Sequence, residues 1–401
     1  MSEVASLIVD SEHKTAPKDP AGAHPMIRTT DLGCARVDLK AAVRVSSDTH
    51  ARWTRRAVPV EGDLILAREA PVGGICRVPG GSRPILGQRT VLIRPDPTVI
   101  DGGFLLYRIA ASDFQARLSE MSTGSTVPHL NMADIRALRI PNVPELRTQR
   151  RIAWVLSAFD ELIEINERRI ELLEDLARSL YCEWFVRFRF PGHGNDAGSP
   201  PNDWQTKPFL KTALFINGFA FKPTHHGPVG RPIIKIKELK QGVTQATPRY
   251  GGADVPPKFE VEPGHLLFSW SADLGAYLWN GEPGLLNQHL FRVEPLEDFS
   301  VEFLFHALDT AIPDFRSRAQ GTTMRHIKRS ALEEVMVSVP ARSLVAQFTK
   351  RVRPLHGERR ALSAENRTLA ATRDLLLPRL VTGRLDISDV DLGDLLPAEG
   401  A

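Results

Sequence analysis

At 401 residues the chain is long enough for about two to three domains with real cores, and 42% hydrophobic residues is ordinary for a globular protein. A net charge of +3 is too small to argue for a polyanionic partner by itself. Cys34, Cys76 and Cys182 make no CxxC pair, which speaks against a disulfide framework and for a reducing cytoplasm, while no run approaches the roughly 18 apolar residues of a membrane span and no leader pattern opens the chain.

The first segments read as short strands and turns. Leu7-Ile8-Val9-Asp10 and PMIRTTDL (Pro25 to Leu32) precede GDLILAREAPVG (Gly62 to Gly73), a buried strand followed by a turn. LGQRTVLIRP (Leu86 to Pro95) and GSTVPHLNMADIRALRIPNVP (Gly124 to Pro144) complete this half. From Leu146 to Val186 there is neither Pro nor Gly, and the apolar residues fall in two rows seven apart: Ile152, Phe159, Leu173, Leu180 and Leu156, Ile163, Ile170, Ala177, Trp184. Adjacent members alternate four and three residues, the spacing of a coiled-coil seam, and Asn166 occupies the gap in the first row. PGHGNDAGSPPND (Pro191 to Asp203) then reads as a linker, dense in Gly, Pro, Asn and Asp.

The same landmarks recur in the same order. PIIKIKEL (Pro232 to Leu239) answers PMIRTTDL at an offset of 207, which also sets Leu214-Phe215-Ile216-Asn217 against Leu7-Ile8-Val9-Asp10. GHLLFSWSADLG (Gly264 to Gly275) follows at offset 202, LNQHLFRVEP (Leu286 to Pro295) at 200, and GTTMRHIKRSALEEVMVSVP (Gly321 to Pro340) at 197. Drifting offsets mean loop insertions and deletions on a shared framework. The second long helix repeats the seam with Val345, Val352, Leu380 and Phe348, Leu355, Leu362, Leu369, Leu376, and Asn366 stands 200 positions after Asn166. A lone polar seam residue costs stability but fixes register and partner, so the two asparagines predict that the helices pair with each other.

Charge distribution says more than net charge. Nine Lys and Arg lie between Lys207 and Lys258 against Glu238 and Asp254, and seven between Ile27 and Val60 against three Asp, so each half begins basic. Such a stretch could line a phosphate-facing surface or be a solvated face without a partner. Residues 341–384 carry ten Arg and Lys against Glu358, Glu365 and Asp374, so the second helix needs acidic neighbours or a phosphate to offset self-repulsion. Gly357 and Pro378 leave the end of that helix open.

With the repeat in hand, the chain resembles the specificity subunit of type I restriction-modification systems over nearly its whole length. The residues that carry the resemblance are GDLILAREAPVG with LGQRTVLIRP, the Gly124-Ser125-Thr126 stretch leading to TQRRIAWVLSAFDELIEIN, their second copies, and the terminal DLLLPRLVTGRLDIS. The resemblance implies an α+β fold with two tandem target-recognition domains and a pseudo-twofold internal repeat. Its two long helices would pair as an antiparallel coiled coil that sets the distance between the readers. The expected divisions are residues 1–145 for the first recognition domain, 146–190 for the first helix, 191–203 for the linker, 204–340 for the second recognition domain, 341–385 for the second helix and 386–401 for an acidic, mobile tail. The implied function is non-catalytic: reading a bipartite, asymmetric site in double-stranded DNA and scaffolding two adenine methyltransferase subunits, with restriction (motor-nuclease) subunits in the complete complex. No cofactor is expected in this chain, and S-adenosylmethionine, ATP and Mg belong to the partner subunits.

Base reading needs donors and acceptors on loops, such as Arg for guanine and Asn or Gln for adenine. The candidates are Arg28, Arg89, His129 and Asn131 in the first half, and Gln288, His289, Arg325, His326 and Lys328 in the second. Residues that differ between the halves make better readers. Gln88 and Gln288 match, which favours a shared structural hydrogen bond, and His129 and His326 match, which favours phosphate contact or packing. Ser125, Thr126, Thr322 and Thr323 suit either a phosphate or a tight turn. Lys222, Lys235, Lys237 and Lys240 are candidate phosphate anchors, and Trp270 reads as core rather than a base-facing wedge.

Two other classes compete. A protein-only coiled-coil scaffold would use the helices alone. A self-sufficient metal-dependent nuclease would use Glu238-Leu239-Lys240, but that acid-x-Lys pair has no upstream Pro-Asp partner, and His225-His226 has no third ligand at zinc spacing. There is also no GxxxxGK[ST] loop, no GxGxxG fingerprint and no Asn-Pro-Pro-Tyr type tetrapeptide.

Overall fold

The computed structural model describes the chain except residues 36, 38, 40, 125, 126, 194–198, 203, 253, 297, 320–325 and 388–401, and the side chain of residue 34. The chain divides into two compact units, residues 1–163 with 368 onward, and residues 164–367. The expected sites Ser125, Thr126, Thr322, Thr323 and Arg325, residues 194–198 and 203 of the linker, and all but the first two residues of the tail lie outside the described residues.

The first unit is built on a five-stranded sheet in the order Ala5–Asp10, Thr90–Pro95, Leu64–Ala67, Ile75–Arg77, Cys34–Ala35. The central strand LILA is wholly buried, which explains why it reads as an unbroken apolar run. Its side chains alternate between two cores. Leu64 and Leu66 pack with Phe104, Leu105 and Ile109 of the helix Gly102–Ala110, whereas Ile65 packs with Ile27, Cys76 and Leu92. A smaller sheet, Val43–Val45, His24–Ile27 and Ile85–Leu86, sets His24–Ile27 parallel to Ile85–Leu86. The Met1 amino group donates to the Arg136 and Leu138 carbonyls and the Ser2 amide to the Arg136 carbonyl, and Ala5–Asp10 is a strand in the place the repeat assigned to it.

The second unit repeats this plan. Its main sheet runs Ala213–Asn217, Leu290–Pro295, Leu266–Ser269, Gly275–Leu278, and the pairing Phe268 with Phe291 answers Leu66 with Val91 in the first. Leu266 and Phe268 face a core with Phe303, Phe315 and Phe348, while Leu267 faces Ile234, Val261 and Trp279. Ahead of this sheet the strand Gln205–Pro208 pairs with Met336–Val339.

The first long helix covers Leu146–Tyr181, shorter than the expected 146–190. A single π turn, Cys182–Val186, follows, in which Trp184 and Phe185 are buried in the aromatic core of the second unit. The second long helix covers Arg342–Val381 and passes through both Gly357 and Pro378. It survives Pro378 because Leu380 and Val381 are buried in the first unit's core, and packing outweighs local propensity. In the second unit the Asn166 amide donates to the Asn366 carbonyl oxygen at 2.9 Å, Arg359 reaches Glu174 at 2.7 Å and Arg169 reaches Glu358 at 2.7 Å. In the first unit Arg373 meets Asp160 at 2.5 Å, and the Tyr107 hydroxyl donates to the same carboxylate at 2.6 Å. The basic second helix therefore finds its acidic neighbours on the first helix and on the domains, Glu302 beside Arg353 among them.

Candidate nucleic-acid interface

In the first unit three loops converge at the end of the main sheet. The Arg68 amide donates to the Arg89 carbonyl (3.0 Å), and the Leu130 amide donates to the Arg68 carbonyl (2.8 Å). Residues 68, 89 and 130 are thus tied together by backbone bonds, and the Arg68 guanidinium adds a bond to the Leu130 carbonyl at 3.2 Å. His129 and Thr123 exchange two backbone bonds of 2.9 Å, closing the loop that carries residues 124–128. On this frame Arg68 pairs with Asp10 at 3.3 Å and Arg89 with Glu69 at 3.2 Å. Arg89 is exposed and has a φ of 72°, a left-handed conformation uncommon for a residue with a Cβ. Asn131 is exposed at the start of the helix Met132–Ala137, and its side chain makes no capping bond, so its amide faces solvent.

The second unit rebuilds the same frame. The Trp270 amide donates to the His289 carbonyl (3.4 Å) and the Ile327 amide to the Trp270 carbonyl (3.0 Å), while Ser271 bridges to His326. Here the side chains differ. Trp270 Nε1 donates to Asn217 Oδ1 and to the Gln288 carbonyl, both at 3.2 Å, and the Ser271 hydroxyl lies 3.1 Å from His289 Nδ1. Trp270 is half-buried against the second unit's core. Lys328 is exposed beside this cluster.

Other candidates fall elsewhere. The Arg28 guanidinium is held by Asp31 at 2.9 and 2.6 Å, in a turn whose Thr29 hydroxyl donates to the Ala70 carbonyl. The rings of Phe219, Phe221, His225, Tyr250 and Phe259 are half-buried with neighbouring centroids about 5 to 6 Å apart, and Lys258 Nζ lies 5.0 Å from the Phe259 centroid, while Lys222 is exposed. Lys235 Nζ lies 3.5 Å from His226, whose pKa is lowered by burial and by that ammonium. Lys237 is exposed. Gln88 and Gln288 do not share one hydrogen bond: the Gln88 side chain binds Thr15 and the His13 carbonyl, whereas the Gln288 side chain lies 3.4 Å from His289.

Glu238 is buried and its carboxylate accepts from the Lys235 amide and the Thr247 hydroxyl, while Lys240 pairs with Asp273, so the acid-x-Lys pair is consumed by structural bonds. Burial pushes the Cys76 thiol up to about 12. Among the described residues no group of three or more His, Cys, Asp and Glu could hold a metal ion, and no helix is long and apolar enough to cross a membrane.

Glu69, Asp10, Arg68, Asn217 and Ser271 were not singled out from the sequence. The signal was present in the aligned repeats, where Arg68-Glu69 stands against Trp270-Ser271 and Asp10 against Asn217.

Residues 17–175 and 210–343 match the family model described as the type I restriction modification DNA specificity domain. The MjaIX specificity subunit of Methanocaldococcus jannaschii is 24% identical over 346 residues, covering 82% of this chain and 79% of that one. The HindI specificity subunit of Haemophilus influenzae is 22% identical over 376 residues, covering 75% and 81%. In fold, the chain is similar to the crystal structure of a type I restriction-modification S subunit from M. genitalium, with a TM-score of 0.60, 16% identity and 94% of each chain covered.

Proposed function

We propose that this chain, which belongs to the type I restriction modification DNA specificity family, reads a bipartite, asymmetric site in double-stranded DNA with one half-site per recognition domain. As a specificity subunit it works in a complex with other restriction-modification subunits. The observation that carries the finer reading is the repeated loop frame. The same pair of backbone hydrogen bonds presents Arg89 and Glu69 in the first unit and His289 and Ser271 in the second, so two similarly built readers meet DNA with different chemistry.

The bonds Asn166 to Asn366 and Glu174 to Arg359 run in opposite senses along the two long helices, which supports an antiparallel coiled coil. A 36-residue helix is ~54 Å long at about 1.5 Å per residue, more than one duplex turn of about 34 to 36 Å. On this reading the rod sets the spacer between half-sites, and the apparent repeat is a pseudo-twofold one. The exposed lysines Lys222, Lys237 and Lys328 anchor phosphates, adding affinity without sequence information. The complex contains two adenine methyltransferase subunits and, for cleavage, motor-nuclease subunits; the methyl donor, ATP and Mg are bound by those chains, in the cytoplasm.

The test is methylation mapping in cells carrying this chain with its methyltransferase partner, paired with gel shifts against random duplex pools. A single interrupted motif with unlike halves is the expected result. Retention of no motif would instead leave a scaffold that binds protein alone.

A further inference from the structure

The two loop clusters can be compared bond by bond. Residues 68, 89 and 130 correspond to 270, 289 and 327 through the same two backbone hydrogen bonds. Asp10 and Asn217, each the last residue of its strand, correspond in turn. These two hydrogen bonds are kept although Arg89 is left-handed and His289 is not, and on them the side chains change in pairs: Asp10 with Arg68 becomes Asn217 with Trp270, and Glu69 with Arg89 becomes Ser271 with His289. Each exchange replaces an Arg–carboxylate ion pair by a contact without a carboxylate.

The first of these exchanges is largely withdrawn from solvent. Arg68 and Asp10 side chains are 13% and 14% exposed, and Trp270 packs on the core. The second is at the surface, with Arg89 44% exposed. We infer that Glu69–Arg89 and Ser271–His289 are the pairs that make the two domains prefer different bases, with Arg89 and His289 reading a base edge and Glu69 and Ser271 positioning them. The inference rests on the function proposed above.

Three features of the first pair support it. A guanidinium can donate twice to the O6 and N7 of guanine, the most common specific contact in the major groove. Arg89 is also one of few non-glycine residues with a left-handed backbone among the described residues, and the turn keeps it there although Gly or Asn would fit with less strain. Finally, the Glu69 carboxylate restrains a long side chain before binding, which lowers the ordering cost. It also repels a phosphate, reserving Arg89 for the groove floor. In the second domain both nitrogens of His289 have a side-chain neighbour, Ser271 on Nδ1 and Gln288 on Nε2, so its donor and acceptor pattern is set by those two residues.

The test uses the full complex of this chain with its methyltransferase subunits, acting on duplexes randomised in both half-sites. Exchanging Glu69→Ser with Arg89→His should change the base preference at one position of one half-site by roughly ten- to a hundredfold. The other half-site and the spacer should be unchanged. Ser271→Glu with His289→Arg should do the converse. Glu69→Gln should weaken discrimination at the Arg89 position, and Glu69→Asp should restore part of it, a pattern that a merely structural role would not produce. If the double exchange fails to assemble, Arg89→Gln at the exposed side chain asks the same question. Unchanged preferences in both halves, or a uniform loss at all positions in a folded variant, would overturn the inference. A wild-type complex that yields no split motif would count against the proposed function instead.

Discussion

Asn166 and Asn366, 200 residues apart in sequence, meet through a single amide hydrogen bond of 2.9 Å, with the Asn166 side chain almost wholly buried. Two leucines in their place would bury more apolar surface, so the pair exists for register more than for strength. Asn366→Leu alone should therefore lower stability by about 1–3 kcal/mol, because the Asn166 amide loses its partner in a buried site. Replacing both by leucine should recover that loss, read as the midpoint of denaturant unfolding. A single variant as stable as the wild type would show that the bond contributes nothing.

Arg373 neutralises Asp160, which is 4% exposed and also accepts from Tyr107. Removing one member of a buried ion pair leaves the other charge uncompensated, at about 3–5 kcal/mol. Arg373→Met should lower the midpoint of the first unit far more than Tyr107→Phe, for which about 1 kcal/mol is expected. Limited proteolysis of residues 1–163 in the two variants provides an independent measure.

His306 and His356 pack at 5.3 Å between ring centroids in the second unit, each with one buried ring nitrogen lacking a hydrogen bond. Burial, and then neighbouring charge, pushes His306 down to about 3 and His356 to about 4. Both are neutral in the folded protein at pH 6, while in the unfolded chain they bind protons below about pH 6.5. The unfolded state thus holds more protons between those limits, and stability is complete above about pH 6.5 and declines as pH falls. The slope is roughly 1.4 kcal/mol per pH unit for each histidine at most. His306→Phe, which approaches the Tyr107 found in the matching helix of the first unit, should flatten thermal midpoints measured between pH 7.5 and 5. An unaltered slope would assign the pH dependence to other groups.

Removing seven residues from each long helix, in matched positions, preserves the seam and shortens the rod by ~10.5 Å, or about three base pairs. Methylation mapping of such a protein should return the same half-sites with a shorter spacer. New half-sites would argue against a rod that only measures distance.

The long helices were legible because a heptad is a local pattern, visible within any short window. Arg359 and Arg373 interrupt that pattern, yet each falls in the seam opposite an acidic residue, Glu174 and Asp160. The end of the first helix was less legible. Trp184 and Phe185 continue the apolar spacing, but the core of the second unit draws them into a π turn.

The loops at the end of each main sheet were the least legible. Arg89 and His129 stood out by residue type, whereas Glu69 was silent until the Arg68 backbone was seen bonded to both Arg89 and Leu130.

Local periodicity and the ordered recurrence of short motifs were enough to establish two similar α+β halves, two long helices and the seam positions of their asparagines, because each depends on residues close in the chain or on matching offsets. Which side chains stand together at the end of each sheet depended on strand pairing and loop closure between segments some 20 to 60 residues apart, so only the folded chain could put Glu69 beside Arg89 and Ser271 beside His289.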